Sequence, residues 1–492
     1  MTRWTRVGIG SLLAGAVIVA GCRGGFARRG GAGDLATPPP AGPPAAAFQL
    51  PPVTARVLPN GLTVLAVEYH ELPIVIFHLL VQGGAAYDPE GKEGVAELTA
   101  GLIRQGTQRR DAEELAREIE FLGGNIGGDA GYDFSSVSAE FLRKDMDQAL
   151  DLFSDVVLHP AFRADEFRRE QGLALAGIVA SRESPAAIAD HCFQAFLYGH
   201  HPYGHPTEGT EMSVRRLTAA DAHAFYEHHY GPRGAVLVMI GDAGADDLLA
   251  RAERAFGGWS STAAPAAALP MPARVHGRKL LLVDKPDATQ AHIRVGNVAI
   301  ARTDEAYIPA VVTATVLGGG FGSRLIDELR VKRSLTYGAS SYFLTHRQLG
   351  DFRAATFTKV PTTGEALDLT LDVLRQFAKD GATSDELARA KSLLGGQYPL
   401  QLETPNAIAG KLAELTAYGI PRTELEVYPR RILATSAGDV REIAGRYVMV
   451  EDAVVVVVGP AVAIAPQLAG LGVAERTTPE ACGRPDGPVA MP

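Results

Sequence analysis

The sequence predicts an α+β protein built from two similar halves in tandem. Short segments recur in order about 217 residues apart: residues 149–152 return at 366–369, and residues 235–241 resemble 453–459. With two shorter matches at nearly the same offset, this pattern indicates an internal repeat. Strand-like and helix-like segments occur in blocks, without the strict alternation of a doubly wound sheet, which favours the α+β class.

Composition describes a globular chain longer than one ordinary domain. The 492 residues are 46% hydrophobic and 21% charged, which is typical of folded proteins. A chain of this length exceeds a single core, so two or more domains are expected. The net charge is −9 and the sequence has no basic patch of the kind that binds nucleic acid, so we expect no nucleic-acid partner.

Local sequence patterns predict the strands and helices of the first half. A Pro-Asn-Gly turn between two apolar runs predicts a hairpin, and a Gly-Gly pair is typical of a helix end. A short, fully apolar run before the predicted linker indicates a buried strand. The expected strands lie at residues 53–58, 62–68, 74–81, 134–142 and 235–241, and the expected helices at 94–104, 112–122, 146–158 and 165–181.

The first 51 residues are expected to lie outside the fold. Two arginines precede an apolar stretch at residues 8–20, which is too short to cross a membrane and ends just before Cys22. This order resembles a bacterial lipoprotein signal, which implies removal of residues 1–21 and acylation of Cys22. The arginine after the cysteine favours the outer membrane by resemblance to the common sorting rule. Residues 22–51, rich in Gly, Ala and Pro, read as a tether.

The repeat places two domains and a linker along the rest of the chain. We assign residues 52–258 to an N-terminal domain and residues 278–470 to a C-terminal domain. The proline-containing stretch 259–277 is the expected linker. The Pro/Gly-rich tail 471–492 is expected to be disordered.

Only two cysteines remain after the signal segment, so the chain has no disulfide framework. A bridge between Cys192 and Cys482 is compatible with an oxidising compartment. Because Cys192 lies in an apolar helical pattern, the sequence favours a buried thiol.

The helix predicted at residues 94–104 carries the most informative pattern. Residues 94–107 read GVAELTAGLIRQGT. This frame resembles the active-site helix of the insulinase/pitrilysin family of zinc metallopeptidases, roughly G-L-A-H-x-x-E-H-M-x-x-x-G-T. In that family both histidines bind zinc and the glutamate is the general base, an inverted H-x-x-E-H order. Here Glu97, Ala100 and Gly101 occupy those three places.

The family's third zinc ligand is also missing. The resemblance implies two glutamates seven residues apart on a later helix, of which the second binds zinc. The first matches Glu170 and the second falls on Gly177. A catalytic zinc ion needs three protein ligands and an open position for water. We therefore predict no catalytic zinc in this chain and expect zinc only in a partner subunit.

Two other histidine clusters do not replace the lost site. His200, His201 and His205 lie in a loop that the family commonly has without using it for zinc, so we expect structural packing. His223 and His228 are five residues apart, which places them about 140° apart around a helix, a poor fit to one metal ion.

The second half keeps a longer motif. Residues 317–337 resemble the family pattern L-G-G-G-x-x-S-R-L-x-x-E-[IL]-R-x-K-x-x-L-x-Y, whereas a phosphate-binding loop would need a G-K-[ST] ending. In the family an Arg and a Tyr seven residues apart bind the substrate backbone and stabilise the oxyanion. They match Arg330 and Tyr337, both strong donors. The alternative is that Arg330 makes a surface ion pair and Tyr337 packs.

The resemblance implies α+β halves that enclose a chamber, and a subunit that is inactive alone. Our leading interpretation is a non-catalytic, lipid-anchored subunit on the periplasmic face of the outer membrane. A zinc-bearing homologue would complete a peptidase for unfolded peptides, with Arg330 and Tyr337 supplied by this chain. The alternatives are a peptide-binding or scaffold protein without a peptidase role, and an active metallopeptidase with an unrecognised site.

Overall fold

The computed structural model describes residues 49–261, 263, 267–472, 474–482 and 487. The expected signal segment 1–21, Cys22 and nearly all of the tether lie outside the described residues. Within the described ranges, no helix combines the length and apolarity needed to cross a membrane.

The first half contains a six-stranded sheet with helices packed against it. Its strands are β1 (Val53–Val57), β2 (Thr63–Glu68), β3 (Ile74–Gln82), β4 (Asn125–Ala130), β5 (Phe134–Leu142) and β6 (Val236–Gly241). Its helices are α1 (Val95–Leu102), α2 (Ala112–Phe121), α3 (Met146–Leu158), α4 (Ala164–Ser181), α5 (Pro185–Tyr198), α6 (Glu211–Arg216), α7 (Ala219–His229) and α8 (Ala245–Phe256).

The second half repeats this plan. Its strands are β7 (Lys279–Asp284), β8 (Gln290–Val298), β9 (Ala339–Leu344), β10 (Asp351–Lys359), β11 (Val454–Gly459) and β12 (Ala474–Thr477). Its helices are α9 (Tyr307–Gly318), α10 (Arg324–Ile326, continued by a π-helical turn at Asp327–Lys332), α11 (Thr363–Asp380), α12 (Ser384–Gln401), α13 (Pro405–Tyr418), α14 (Glu424–Ala434), α15 (Ala437–Tyr447) and α16 (Ala461–Ile464).

Five strands have the same order in the two sheets, which confirms the α+β class and the repeat, and only the outer strands β1 and β12 differ. The orders are β1-β2-β6-β3-β5-β4 and β12-β7-β11-β8-β10-β9. In each sheet the third strand in this order runs parallel to the second and antiparallel to the fourth. The repeated sequence segments lie on α3 and α11 and on β6 and β11, so the equivalence inferred from the sequence is structural.

The sequence predicted the bounds of several helices and strands, because hydrophobic periodicity and capping residues are features of the segment itself. The strand Phe134–Leu142 and the helix Met146–Leu158 are confirmed with the bounds expected from the sequence. The 53–58 and 62–68 runs form an antiparallel hairpin with slightly shorter strands. The helix expected at 94–104 is also shorter, ending at Leu102. The strand Val236–Gly241 is buried along its whole length, as its apolar run predicted.

Each half donates one helix to the sheet of the other half, which the repeat did not indicate. Helix α5 packs on β8 and β11 of the second sheet, and α13 packs on β3 and β6 of the first. The α5 interface is an apolar cluster that includes Phe193, Phe196 and Val456. This exchange places the described residues within one compact unit, although two similar sheets lie inside it.

Buried arginines fasten α5 to the second sheet. Arg294 on β8 donates from Nε to Oδ1 of Asp190 at 2.7 Å, and Nη1 of Arg353 on β10 lies 3.2 Å from the same oxygen. Arg353 also donates to Oε1 of Gln194 at 2.7 Å and stacks on the Phe193 ring. Because unpaired charges are costly to bury, these contacts select one position of the helix on the sheet.

Asp133 connects the two halves through a buried polar cluster. Its carboxylate accepts hydrogen bonds from the hydroxyl of Tyr203, the hydroxyl of Tyr418 and the backbone N–H of Arg347, each at 2.7 Å. Tyr203 belongs to the first half, whereas the other two donors belong to the second. Asp133 is 4% exposed, so solvent does not replace these contacts.

Two expectations about the end of the chain are wrong. Residues 474–482, within the tail expected to be disordered, form strand β12 and a 3₁₀ turn, because β7 offers an edge for pairing. Cys192 is not a free buried thiol, since it forms a disulfide with Cys482 across 290 residues of sequence. The apolar helical pattern correctly indicated burial, but it contains no information about a partner so distant in sequence.

Candidate functional site

Helix α1 starts from the half-buried Asp88. The Asp88 carboxylate accepts the backbone N–H groups of Gly94 at 2.6 Å and Ala96 at 2.9 Å, which otherwise lack partners at a helix start. Gly94 has φ of 95°, a left-handed conformation that favours glycine. Burial raises the pKa of Asp88 well above its usual range, although both N–H groups oppose this shift. This start sets which face of α1 is turned inward.

The structure brings three of the four degenerate positions together around one cavity of about 360 Å³. Glu97 and Gly101 are one helical turn apart on α1, and Gly177 faces them from α4. Ala100 is fully buried beside the cavity and is not part of its lining. The lining residues are Glu97, Leu98, Gly101, Glu170, Ala174, Gly177, Ile178 and Glu208.

Glu97 is held in place by the neighbouring edge strand. Its Oε2 accepts the backbone N–H of Ala130 at 2.9 Å, at the end of β4. Burial raises the pKa of Glu97, the Ala130 N–H opposes that shift, and the charges of Asp129 and Glu208 add to it. A carboxylate that is partly buried and already bonded to backbone is a structural tie between α1 and β4.

The residues at the family's metal positions do not fit a catalytic zinc ion. Gly101 and Gly177 have no donor side chains, and Glu97 alone cannot make a three-ligand site. Glu170 is also engaged, since its Oε1 accepts from Nε2 of Gln105 at 3.0 Å and lies 3.1 Å from Nη2 of Arg169. No group of three or more His, Cys, Asp or Glu residues in the described ranges is arranged to hold a metal ion.

The backbone nevertheless leaves room for side chains at the two glycines. A Cβ at Gly101 would have one neighbour within 4 Å, Oε2 of Glu170 at 3.7 Å, which is an ordinary contact. A Cβ at Gly177 would meet no described atom within 4 Å. The cavity therefore has the space of a ligand site without its donor atoms.

The structure does not bring Arg330 and Tyr337 to this cavity, whose lining lies within residues 97–208. Tyr337 is 76% exposed, and Arg330 lies with its guanidinium carbon 5.2 Å from the centre of the Phe321 ring. No described residue forms a hydrogen bond with the Tyr337 hydroxyl. Neither residue is among those that line the cavity.

The segment that presents these two residues is unusual and well anchored. Arg330 lies in the π-helical turn Asp327–Lys332, and Ser334 has φ of 54°, a conformation rare for a residue with a side chain. Side chains of β10 anchor the segment after this turn: Thr358 Oγ1 donates to the Leu335 carbonyl at 2.7 Å, and Thr356 Oγ1 to the Gly338 carbonyl at 3.0 Å. Such strained segments often mark functional positions.

His201 and His205 make hydrogen bonds to backbone groups, whereas His200, His223 and His228 are exposed. His201 accepts the backbone N–H of Tyr203 and its other ring nitrogen lies 2.9 Å from the carbonyl of Pro270. His205 is bonded at Nδ1 to the carbonyl of Pro206 at 2.9 Å. His223 makes a long contact of 3.7 Å with Glu227 on the exposed face of α7.

Sequence reasoning missed Glu208, the third acidic residue of the cavity. Its Oε1 lies 3.1 Å from Nε2 of His191 on α5. Burial favours a higher pKa for Glu208, but the hydrogen bond and charge of His191 outweigh it and lower the pKa. No periodic or motif signal marks this loop residue, which reaches the cavity only through the path of the chain between α5 and α6.

Comparisons with known proteins agree with these observations. Residues 63–211 match the model described as "Insulinase (Peptidase family M16)", and residues 216–394 match "Peptidase M16 inactive domain". A protein of Streptomyces coelicolor described as an uncharacterized zinc protease is 27% identical, covering 80% of this chain and 86% of its own length. A Mycobacterium tuberculosis protein of the same description is 29% identical, with 79% and 89% covered.

Solved structures share the fold. A structure described as peptidase M16 inactive domain from Pseudomonas fluorescens superposes with a TM-score of 0.78 at 29% identity, covering 87% of this chain and all of that one. A protease from Helicobacter pylori gives 0.77 at 21% identity, with 84% and 100% covered, and shows the fold alone. The family motifs, the paired α+β halves and these matches agree: the chain belongs to the insulinase family, peptidase family M16.

Proposed function

We propose that this chain is a non-catalytic insulinase-family subunit that completes a peptidase with a zinc-bearing homologue. The proposal depends on two observations taken together. The cavity at Glu97 lacks the donor side chains for a catalytic metal ion, and the segment from Arg330 to Tyr337 is exposed and held by hydrogen bonds. Tyr337 is 76% exposed and does not line the cavity of its own chain, so it is accessible to another molecule. Two comparisons support a pairing of a zinc-bearing subunit with a zinc-free one. Relatives of the chain are described as zinc proteases, and residues 216–394 match a model described as an inactive domain.

The proposed role of Arg330 and Tyr337 is to bind the substrate carbonyl in the partner's site. A guanidinium and a phenol donate strongly to an oxygen that becomes negative during peptide hydrolysis. The exposure of Tyr337 and the placement of Arg330 on a strained, hydrogen-bonded segment support presentation toward another molecule. In this arrangement each chain also contributes half of the chamber.

The proposed substrates are unfolded peptides, bound partly by strand addition. Strand β4 lies at the outer edge of its sheet, next to the cavity, and pairs with β5 on its inner side. An exposed edge offers unpaired backbone groups to an extended peptide.

The proposed location is the periplasmic face of the outer membrane, with acyl chains on Cys22 as the anchor. The sequence from residue 8 to Cys22 supports it. The Cys192–Cys482 disulfide is consistent with an oxidising compartment outside the cytosol. Detection of a diacylated or triacylated Cys22 peptide by mass spectrometry of the membrane-extracted protein is the direct check.

Reconstitution tests the function. The chain is first purified from native membranes by an affinity tag, and a stoichiometric H-x-x-E-H homologue is the expected companion. In the reconstituted pair, Arg330→Ala with Tyr337→Phe should lower peptide turnover about 100-fold, a loss typical of removed oxyanion donors. Arg333→Ala, at an exposed arginine on the same segment, is the control and should leave turnover unchanged.

Three results would reject the proposal. Unchanged turnover in the double variant of an active pair would exclude a shared site. A clean preparation with no homologue would favour a scaffold or peptide-binding protein. Zinc-dependent turnover by the chain alone would instead support an active peptidase.

A further inference from the structure

The end of the chain crosses from the second sheet to the wall of the first-half cavity. Residues 474–477 pair in parallel with Leu280–Val283 of β7, as the outer strand of the second sheet. A 3₁₀ turn at Pro479–Ala481 follows, and Cys482 then bonds Cys192 on α5, with 5.0 Å between the two Cα atoms. We define residues 474–482 as the strap.

The fixed end of the strap covers the junction beside the candidate site. Pro479, Glu480 and Cys482 close one side of a small cavity of about 50 Å³. Its other walls come from the end of α4, from α5 and from the loop 206–210. Ile178 and Glu208 line both this junction and the larger cavity at the degenerate positions. The strap is therefore part of the wall behind Glu208.

The strand within the strap is short and lies at the edge of its sheet. Strand β12 has four residues, of which Glu475 and Arg476 are exposed. A short edge strand without a hairpin connection contributes little by itself. The disulfide fixes the far end and keeps the strand close to β7, which lowers the entropy that the strap gains on leaving.

We propose that the strap is a redox-controlled closure, released when the Cys192–Cys482 disulfide is reduced. Cys482 is partly exposed whereas Cys192 is 1% exposed, so an incoming thiolate attacks the sulfur of Cys482. A mixed disulfide forms on Cys482, and the Cys192 thiolate leaves and takes up a proton. The second thiol of a dithiol reductant then displaces Cys482. The reductant becomes a disulfide as both protein cysteines become thiols.

Release has two structural consequences. The edge of β7 loses its partner and presents unpaired backbone groups. The wall beside Glu208 and His191 opens, so that the cavity at Glu97 gains a second entrance. Both consequences concern the isolated chain and do not depend on the proposed function.

Hydrogen exchange with mass spectrometry tests this closure on the full mature chain, oxidised or treated with dithiothreitol. Reduction should accelerate exchange about tenfold or more in the β7 amides that face β12 and in the loop 206–210. Exchange in β6 of the first sheet should stay unchanged. The Cys192→Ser/Cys482→Ser double variant should show the released pattern with and without reductant.

Two outcomes would overturn the proposal. Identical exchange in the oxidised and reduced chains would show that packing alone holds the strap. Accelerated exchange in β6 as well would show that the disulfide stabilises the whole fold and does not control a local closure. Protease cleavage within residues 474–482, expected only after reduction, provides an independent readout.

Discussion

The Glu97 carboxylate accepts a hydrogen bond from the backbone N–H of Ala130, with 2.9 Å between Oε2 and N. Glu97 stands where a zinc peptidase of this family has its first histidine, and Ala130 ends the edge strand β4. The position that would hold metal in a relative therefore ties a helix to a sheet edge in this chain. This contact leads to the first two predictions.

Removal of the Glu97 carboxylate should destabilise the fold modestly. Glu97→Ala leaves the Ala130 N–H without its acceptor, at a cost of about 1 kcal/mol in the free energy of unfolding measured in urea. Glu97→Gln keeps an acceptor oxygen and should cost less than Glu97→Ala. Equal destabilisation by both substitutions would show that the hydrogen bond contributes little.

The pH dependence of the Glu97→Gln variant has a definite sign. Burial raises the pKa of Glu97 above its usual value of 4.5, so the folded chain binds the proton more tightly than the unfolded chain. The stability from protonated Glu97 is present below the unfolded pKa and is lost as pH rises through the folded pKa. Relative to wild type, Glu97→Gln should therefore gain stability as the pH rises above 4.5. A difference in unfolding free energy between Glu97→Gln and wild type that does not change with pH would contradict this prediction.

Donor atoms, not space, are missing from the cavity, so ligands placed on the existing backbone should bind zinc. The variant Glu97→His, Gly101→His, Gly177→Glu should carry about one zinc per chain in elemental analysis after dialysis. The wild-type chain and the single Glu97→His variant are the controls and should carry only traces. A stoichiometric zinc in the wild-type chain would show that our interpretation of the site is wrong.

Asp133 should be one of the most sensitive positions for stability. Asp133→Ala removes the shared acceptor of the Tyr203 and Tyr418 hydroxyls and the Arg347 N–H, and leaves buried donors unpaired. We expect a loss of about 3–5 kcal/mol in urea unfolding. Tyr418→Phe removes a single bond and should cost about 1–2 kcal/mol. Similar losses in both variants would show that Asp133 does not join the halves.

The docking of α5 should weaken in acid through Asp190. Burial favours a higher pKa for this carboxyl, but Arg294 and Arg353 outweigh it and lower the pKa. The stability from ionised Asp190 is present above the unfolded value near 3.8 and is lost as pH falls through the folded pKa. Asp190→Asn should therefore destabilise the chain at pH 7 and matter less near pH 3.

A matched surface change separates this effect from a general loss of charge. Asp190→Asn should cost about 2 kcal/mol at pH 7, at the lower end for a buried ion pair because the Asp190 side chain is 39% exposed. Asp380→Asn, an exposed carboxylate at the end of α11, should stay within about 0.5 kcal/mol of wild type. Thermal unfolding followed by circular dichroism at both pH values measures the difference.

Local sequence patterns predicted much of the fold because their physical causes are local. Alternation and helical period identified the strand at 134–142 and the helix at 146–158, and the repeat identified two equivalent sheets. The motif around Glu97, Ala100 and Gly101 showed which donor atoms are absent, since side-chain chemistry needs no coordinates. In the structure Glu97 and Gly101 line one cavity with Gly177, whereas Ala100 does not line it.

The features that the sequence did not predict depend on contacts between segments that are far apart in the chain. Helix α5 resembles any apolar helix in sequence, and only tertiary packing places it on the sheet of the other half. Likewise, Cys192 meets Cys482 across 290 residues because α5 has crossed over and β12 has paired with β7. The sequence by itself determined the family, the repeat and the loss of the metal donors. The tertiary structure decided which residues line the cavity, Glu208 among them and Arg330 and Tyr337 not, because long-range contacts set that geometry.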